Sequence, residues 1–177
     1  MASAVMTPLL TVEEYLRTSY RPDVDFVDDH IEERNLGEFD HGTLQAVITE
    51  ILRRHRKEWK IRVALDTRMR VSPSRVRVPD VSIAAVTTPK EQVLHAVPML
   101  CIEVLSPEDR LRKMRTRAED YFAMGVPAVW IFDPRRRNVT ICLPGGVVSK
   151  QKTGVLTLPG TPVAVDLEEI FSALDED

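Results

Sequence analysis

The sequence predicts a mixed α/β fold in which a central β-sheet is flanked by helices on both sides. Three observations predict it. Leu44, Val47, Ile48, Ile51, Leu52 and His55 recur at helical spacing, with Thr49, Glu50, Arg53, Arg54 and Lys57 on the opposite face, the pattern of an amphipathic helix. Strand-like runs follow over residues 61–65, 68–71 and 76–85, the second and third alternating arginine with apolar residues. Two almost wholly apolar runs, 99–105 and 126–132, then enclose a second helical segment, as expected of strands covered on both faces with a helix between them.

Taken in order, Thr11 followed by Val12-Glu13-Glu14 reads as a capped short helix with acids in its first turn, where the helix dipole favours them. Val24, Phe26 and Ile31 around Asp28-Asp29-His30 read as a hairpin. The long helix is expected over residues 40–59. Arg68 and Arg70 alternate with Met69 and Val71, and Arg75 and Arg77 with Val76 and Val78, which predicts a sheet with one wet face. Pro79 changes the character of the third run. Ser106-Pro107-Glu108-Asp109 reads as the start of a helix lasting to Met124, where Gly125 stops it. Short strands near residues 139–143, 147–148 and 155–158 precede a final helix over 166–174.

A chain of 177 residues with 44% hydrophobic and 29% charged residues has the composition of a globular protein, and residues 1–177 are expected to form one domain. No run approaches the roughly 18 apolar residues of a spanning helix, so no membrane association is expected. The start, without a basic segment ahead of an apolar one, does not resemble an export signal, and a cytoplasmic location is expected. Cys101 and Cys142 form no C-x-x-C pair and read as core residues in a reducing compartment. The net charge of −3 hides an uneven distribution, with −8 over residues 1–50, +9 over 51–137 and −4 over the remainder. Basic clusters such as Arg110, Arg112, Lys113, Arg115 and Arg117 can meet phosphates or sit on solvated faces.

Nucleotide-cradling glycine motifs, the serine-hydrolase elbow and zinc-spaced histidines are all absent from the sequence. Carboxylate chemistry remains. Asp80 follows Pro79, and Glu103 lies inside an apolar strand, where an ionised carboxylate is costly unless paired or bound to metal. On the residues alone Glu103 is either a metal ligand or one half of an ion pair with an arginine. Two acids at the ends of neighbouring strands could hold one Mg²⁺, which keeps its other positions for water and substrate phosphate. Mn²⁺ is a possible substitute. Such a site suits phosphodiester hydrolysis.

Val78-Pro79-Asp80-Val81 followed by Ile102-Glu103-Val104-Leu105-Ser106-Pro107 resembles the PD-(D/E)XK nuclease superfamily. The chain more closely resembles the Uma-two family of restriction-endonuclease-like bacterial proteins, through Asp25-Phe26-Val27-Asp28, Asp40-His41, Tyr121 and the block from Gly125 to Pro134. The resemblance implies a restriction-endonuclease-like core, with Asp80, Glu103 and the carbonyl of Val104 as metal contacts. The superfamily lysine two positions after the glutamate is replaced here by Leu105, and the lysine the family supplies from the following helix matches Arg117. Arginine does not give up a proton, so Arg117 could offset phosphate charge but not act as a base. Lys113, one turn earlier, is the alternative. Asp25 stands where the family has a glutamate, and Asp25, His41 and Tyr121 are further candidates for the site.

The expected function is Mg²⁺-dependent endonucleolytic cleavage of DNA through Asp80 and Glu103, with Arg117 or Lys113 stabilising the transition state. The alternatives are a nuclease-fold protein that binds nucleic acid or a protein partner with little catalysis, and a structural dimer whose carboxylates only anchor arginines. A homodimer is expected, because cutting both strands of a duplex requires two sites or two events.

Overall fold

The protein is described by a computed structural model that covers residues 10–35, 37–107, 109 and 111–175. The start at Met1 and the charged residues Glu108 and Arg110 lie outside the described residues. Thr11 caps helix α1 (Val12–Arg17) through a reciprocal pair of bonds with Glu14, which satisfies two otherwise unpaired amides. Strands β1 (Val24–Val27) and β2 (His30–Glu33) form the expected hairpin. Its turn residues Asp28 and Asp29 have φ of 45° and 66°, the left-handed values a tight two-residue turn requires.

Helix α2 (Phe39–Arg54) buries Leu44, Ile48, Ile51 and Leu52. It ends one turn earlier than its amphipathic pattern predicts, because residues 55–60 form turns in which Trp59 stacks on His55. Next come β3 (Ile61–Leu65), β4 (Met69–Ser72) and β5 (Arg75–Arg77). The run expected as one strand over 76–85 is broken. Its first part, β5, pairs with β1 and β4, and its second part, β6 (Val81–Ala85), joins a different sheet. Pro79 lacks the amide a continuous ladder would need, and Val78-Pro79-Asp80 becomes the crossing between the sheets.

Strand β7 (Leu100–Val104) is buried along its whole length, as is β8 (Val129–Asp133). They pair in parallel, and α3 (Leu111–Met124) is the crossover between them. With β9 (Asn138–Leu143) and β10 (Val147–Gln151) they complete a six-stranded mixed sheet in the order β10-β9-β8-β7-β6-β3. A four-stranded sheet, β2-β1-β5-β4, stands beside it. The short strands β11 (Val155–Thr157) and β12 (Ala164–Asp166) pair with each other, β12 having no sequence signal of its own. Asp166 caps α4 (Leu167–Ser172), and a 3₁₀ turn, Ala173–Asp175, follows.

Alternation along β7 and β8 sorts their side chains to two faces. Leu100, Ile102, Val104, Trp130 and Phe132 join the core under α2 and α4, while Cys101, Val129 and Ile131 join the one under α3. Helices therefore cover both faces, as expected. Both cysteines are buried and free. Among the described residues no helix is long and apolar enough to cross a membrane.

At the start expected for the helix after β7, the Asp109 carboxylate accepts the Ser106 amide at 2.8 Å and the Asp109 amide donates to the Ser106 carbonyl, as a side chain three residues past a cap does; Glu108 and Arg110 lie outside the described residues, and α3 is described from Leu111. One local expectation is corrected. Arg77 is not on a wet face, since it is only 2% exposed. The α3 terminus follows the sequence. Gly125 adopts φ of 108° with an open side toward Val97, a backbone shape L-residues rarely take. Gly125→Ala is expected to cost about 1–3 kcal/mol in urea denaturation; an unchanged midpoint would mean that the backbone there relaxes without strain.

Candidate active site

The β6–β7 register pairs Val81 with Ile102, so one further step along the ladder brings Asp80 alongside Glu103. Glu103 takes the α3 side of the sheet, with Cys101. Asp80 and Glu103 are 3% and 1% exposed, and both line a cavity of about 20 Å³ together with Arg34, His41 and Lys113.

Asp80 is held at both oxygens. Oδ2 accepts the Val104 amide at 2.7 Å, and Oδ1 meets the Arg34 guanidinium at 2.5 Å. The His41 ring lies 3.8 Å from Oδ1, and Gln45 donates to the Asp80 carbonyl at 3.0 Å. Burial raises the Asp80 carboxyl above its ordinary value, opposed by Arg34 and the Val104 amide. Burial also lowers His41, as does the nearby Arg34 charge, so at neutral pH its ring is uncharged. Gly37 leaves the space that this ring occupies, since a Cβ there would come within 2.9 Å of it.

Glu103 Oε1 accepts the Tyr121 hydroxyl at 2.5 Å and meets Arg117 at 3.1 Å. Burial pushes the Tyr121 phenol well above its usual value, so it remains a donor. Burial also pushes the Glu103 carboxyl up to about 7, where Arg117 opposes the rise and the Asp80 charge adds to it. Arg117 also donates to the Val78 carbonyl at 2.9 Å and approaches Asp25 at 3.4 Å. Asp25 in turn accepts the Val78 amide at 3.0 Å and Arg77 at 3.0 Å. Arg77 closes the network on Asp120 at 2.7 Å and Glu32 at 2.6 Å. The helix α3, the hairpin and the crossing between the sheets are thereby tied to one carboxylate pair.

The residues singled out by sequence thus converge. Asp80, Glu103, Val104, His41, Lys113 and Arg117 border one cavity, and Asp25 and Tyr121 stand directly behind it. Of the two basic candidates, Arg117 is buried behind Glu103, while Lys113 is exposed at the rim with its ammonium 3.4 Å from the Glu33 carbonyl. Sequence reasoning missed Arg34, Arg77 and Asp120. For Arg77 and Asp120 no signal separates them from surface charges. Arg34 carries a faint one, as the lone base between Arg21 and Arg53 in an acidic segment. Beyond the cavity, charged residues border the neighbouring grooves. Exposed Arg112, Arg135, Arg136 and Lys150 border the grooves on the α3 and β9 side together with Asp40, Asp109 and Asp133, exposed Asp23 and Asp66 border the groove on the α2 side, and Glu38 borders both.

The fold is a helix-flanked mixed sheet of the α/β class with two buried carboxylates at adjoining element ends. A family model described as "Putative restriction endonuclease" matches residues 12–173, and the chain belongs to that family, Uma2 or Uma-two. A crystal structure of a "putative nuclease belonging to DUF820" from Anabaena variabilis ATCC 29413 superposes with a TM-score of 0.83 at 19% identity, covering 93% of this chain and 99% of that one. The restriction-endonuclease-like α/β core expected from the sequence is the fold found. A cryo-EM structure of a DrdV–DNA complex aligns with a TM-score of 0.41 at 14% identity, over 74% of this chain and 10% of that one. No curated protein matches the chain.

The donor set suits a small hard cation. Both side chains are carboxylates whose ionised forms burial disfavours, and the cavity between them has room for about one water-sized sphere. No cluster of three or more His, Cys, Asp or Glu side chains able to hold a metal occurs among the described residues; Asp80 and Glu103 are the two carboxylates at this cavity. The raised Glu103 value fixes a sign. The folded state holds that proton more tightly than the unfolded chain, whose ordinary value is 4.5. Its stabilising contribution is full below that value and is lost as pH rises through about 7. Measured by urea midpoints, wild type is expected to lose stability relative to Glu103→Gln over this interval and to run parallel to it above. A constant difference at every pH would show that Glu103 titrates normally.

Proposed function

We propose that the protein is a Mg²⁺-dependent nuclease that hydrolyses phosphodiester bonds of DNA, with Asp80, Glu103 and the Val104 carbonyl as the metal contacts. The observation that carries this reading is the pair of buried carboxylates, Asp80 and Glu103, facing one ion-sized cavity. The family description supports an endonuclease, and the exposed bases Arg112, Arg135 and Lys150 at the neighbouring grooves are available to phosphates. When bound, the metal supplies an activated water and offsets charge on the phosphate. Arg117 and Tyr121 orient Glu103, and the Val104 amide orients Asp80. Lys113, exposed at the rim, is the cation placed to meet a phosphate, while Arg117 acts through Glu103. A homodimer would provide the two sites that cutting a duplex requires.

A second reading, nucleic-acid binding with little catalysis, has one observation in its favour: Arg34 and Arg117 already neutralise the two carboxylates. Supercoiled-plasmid nicking with Mg²⁺ and Mn²⁺ separates the two. Asp80→Ala and Glu103→Ala are each expected to lower cleavage by about 100-fold or more, with circular dichroism unchanged, and Lys113→Ala by about tenfold. Retarded migration of the plasmid without nicking, by wild type and variants alike, would favour the second reading.

A further inference from the structure

Arg34 leaves the end of β2 and reaches Asp80 Oδ1 at 2.5 Å with one guanidinium nitrogen and Asp66 at 3.4 Å with another. It borders both the small cavity shared with Glu103 and the groove past Asp23, Gly37 and Gln45. Its side chain is 15% exposed, against 5% for Arg117. Of the two guanidiniums on the carboxylate pair, Arg34 is therefore the one with a way out. Arg117 is fixed at the Val78 carbonyl, Asp25 and Glu103, whereas both of Arg34's contacts are to carboxylates at the edge of the groove.

Asp80 offers one oxygen to the backbone of β7 and the other to Arg34. A dication drawn to Asp80 would set two positive charges beside one carboxylate, and their repulsion is strong where water is scarce. We propose that Arg34 is an internal counterion that a divalent metal displaces from Asp80, and that the released guanidinium becomes the contact for the substrate phosphate. The planar fork of an arginine suits either partner, carboxylate or phosphate, in the same hydrogen-bonding geometry. The groove gives the side chain space to change partners, and its acidic wall, Asp23 and Asp66, leaves Arg34 as the cation on that side. The inference rests on the metal-dependent reading of the site and adds to it the residue that couples metal to substrate.

The test reads two affinities that should move in opposite directions in Arg34→Gln. Calorimetric titration with Mn²⁺ in the absence of nucleic acid is expected to give binding about tenfold tighter than wild type, because the competing cation is gone. At saturating Mn²⁺, fluorescence anisotropy with a nuclease-resistant phosphorothioate duplex is expected to give binding about tenfold weaker. A purely structural role would weaken both together. Arg34→Lys, which keeps the charge but loses the fork, should move both in the same senses by less, and it serves if the glutamine variant does not fold. Unchanged or weaker Mn²⁺ binding by the variants, with wild type binding the ion, would overturn this inference alone. Absence of Mn²⁺ binding by wild type and variants would overturn it together with the proposed function.

Discussion

Glu103 places a carboxylate on a strand that is covered on both faces, and much of the architecture around it follows from keeping that carboxylate supplied with partners. Taking a charge out of water costs several kcal/mol unless another charge and well-placed donors come with it. The donors are Tyr121 and Arg117, spaced one helical turn apart on α3 so that both reach the same oxygen. Arg117 is itself a buried charge and requires acceptors of its own, which it finds in Asp25 of the hairpin and the Val78 carbonyl of the crossing. Arg77 then balances Asp25 and ties in Asp120. One acid in the sheet thus determines where a helix, a hairpin and a link between sheets must meet.

The chain satisfies this constraint with a shorter acid and a longer base than its family resemblance implies. Where the family places a glutamate and a lysine, this chain has Asp25 and Arg117. The guanidinium reaches 3.4 Å from the shortened acid while still contacting Glu103, so the two departures offset each other in length. They do not offset each other in chemistry. A lysine in such a place can shed its proton, and an arginine cannot, which confines Arg117 to orientation and charge.

The sheet and helices were legible in the sequence because their signals are periodic and local. The apolar runs of β7 and β8, the amphipathic stripe of α2, the turn acids Asp28 and Asp29 and the stop at Gly125 each state their structure within a few residues. Asp80, Glu103, Arg117 and Tyr121 were legible because an acid in an apolar strand is conspicuous and the family blocks surround it. What was not legible depends on distant partners. Arg77 alternates with valines just as a solvent-facing arginine would, and only the arrival of Asp25, Glu32 and Asp120 makes it an interior residue. Arg34 reaches Asp80 across 46 positions of chain, and no local pattern encodes that meeting.

The central claim is that Asp80 and Glu103 form one cation site. Anomalous diffraction from a crystal soaked in Mn²⁺ addresses it most directly, because it reports the ion's position independently of any activity. The account predicts a single strong peak in contact with a carboxylate oxygen of Asp80, one of Glu103 and the Val104 carbonyl, with Arg117 still on Glu103. A featureless map at this place under saturating Mn²⁺, or a peak only among exposed acids such as Asp23 and Asp66, would contradict it. The carboxylate pair would then be a purely structural anchor for Arg34 and Arg117.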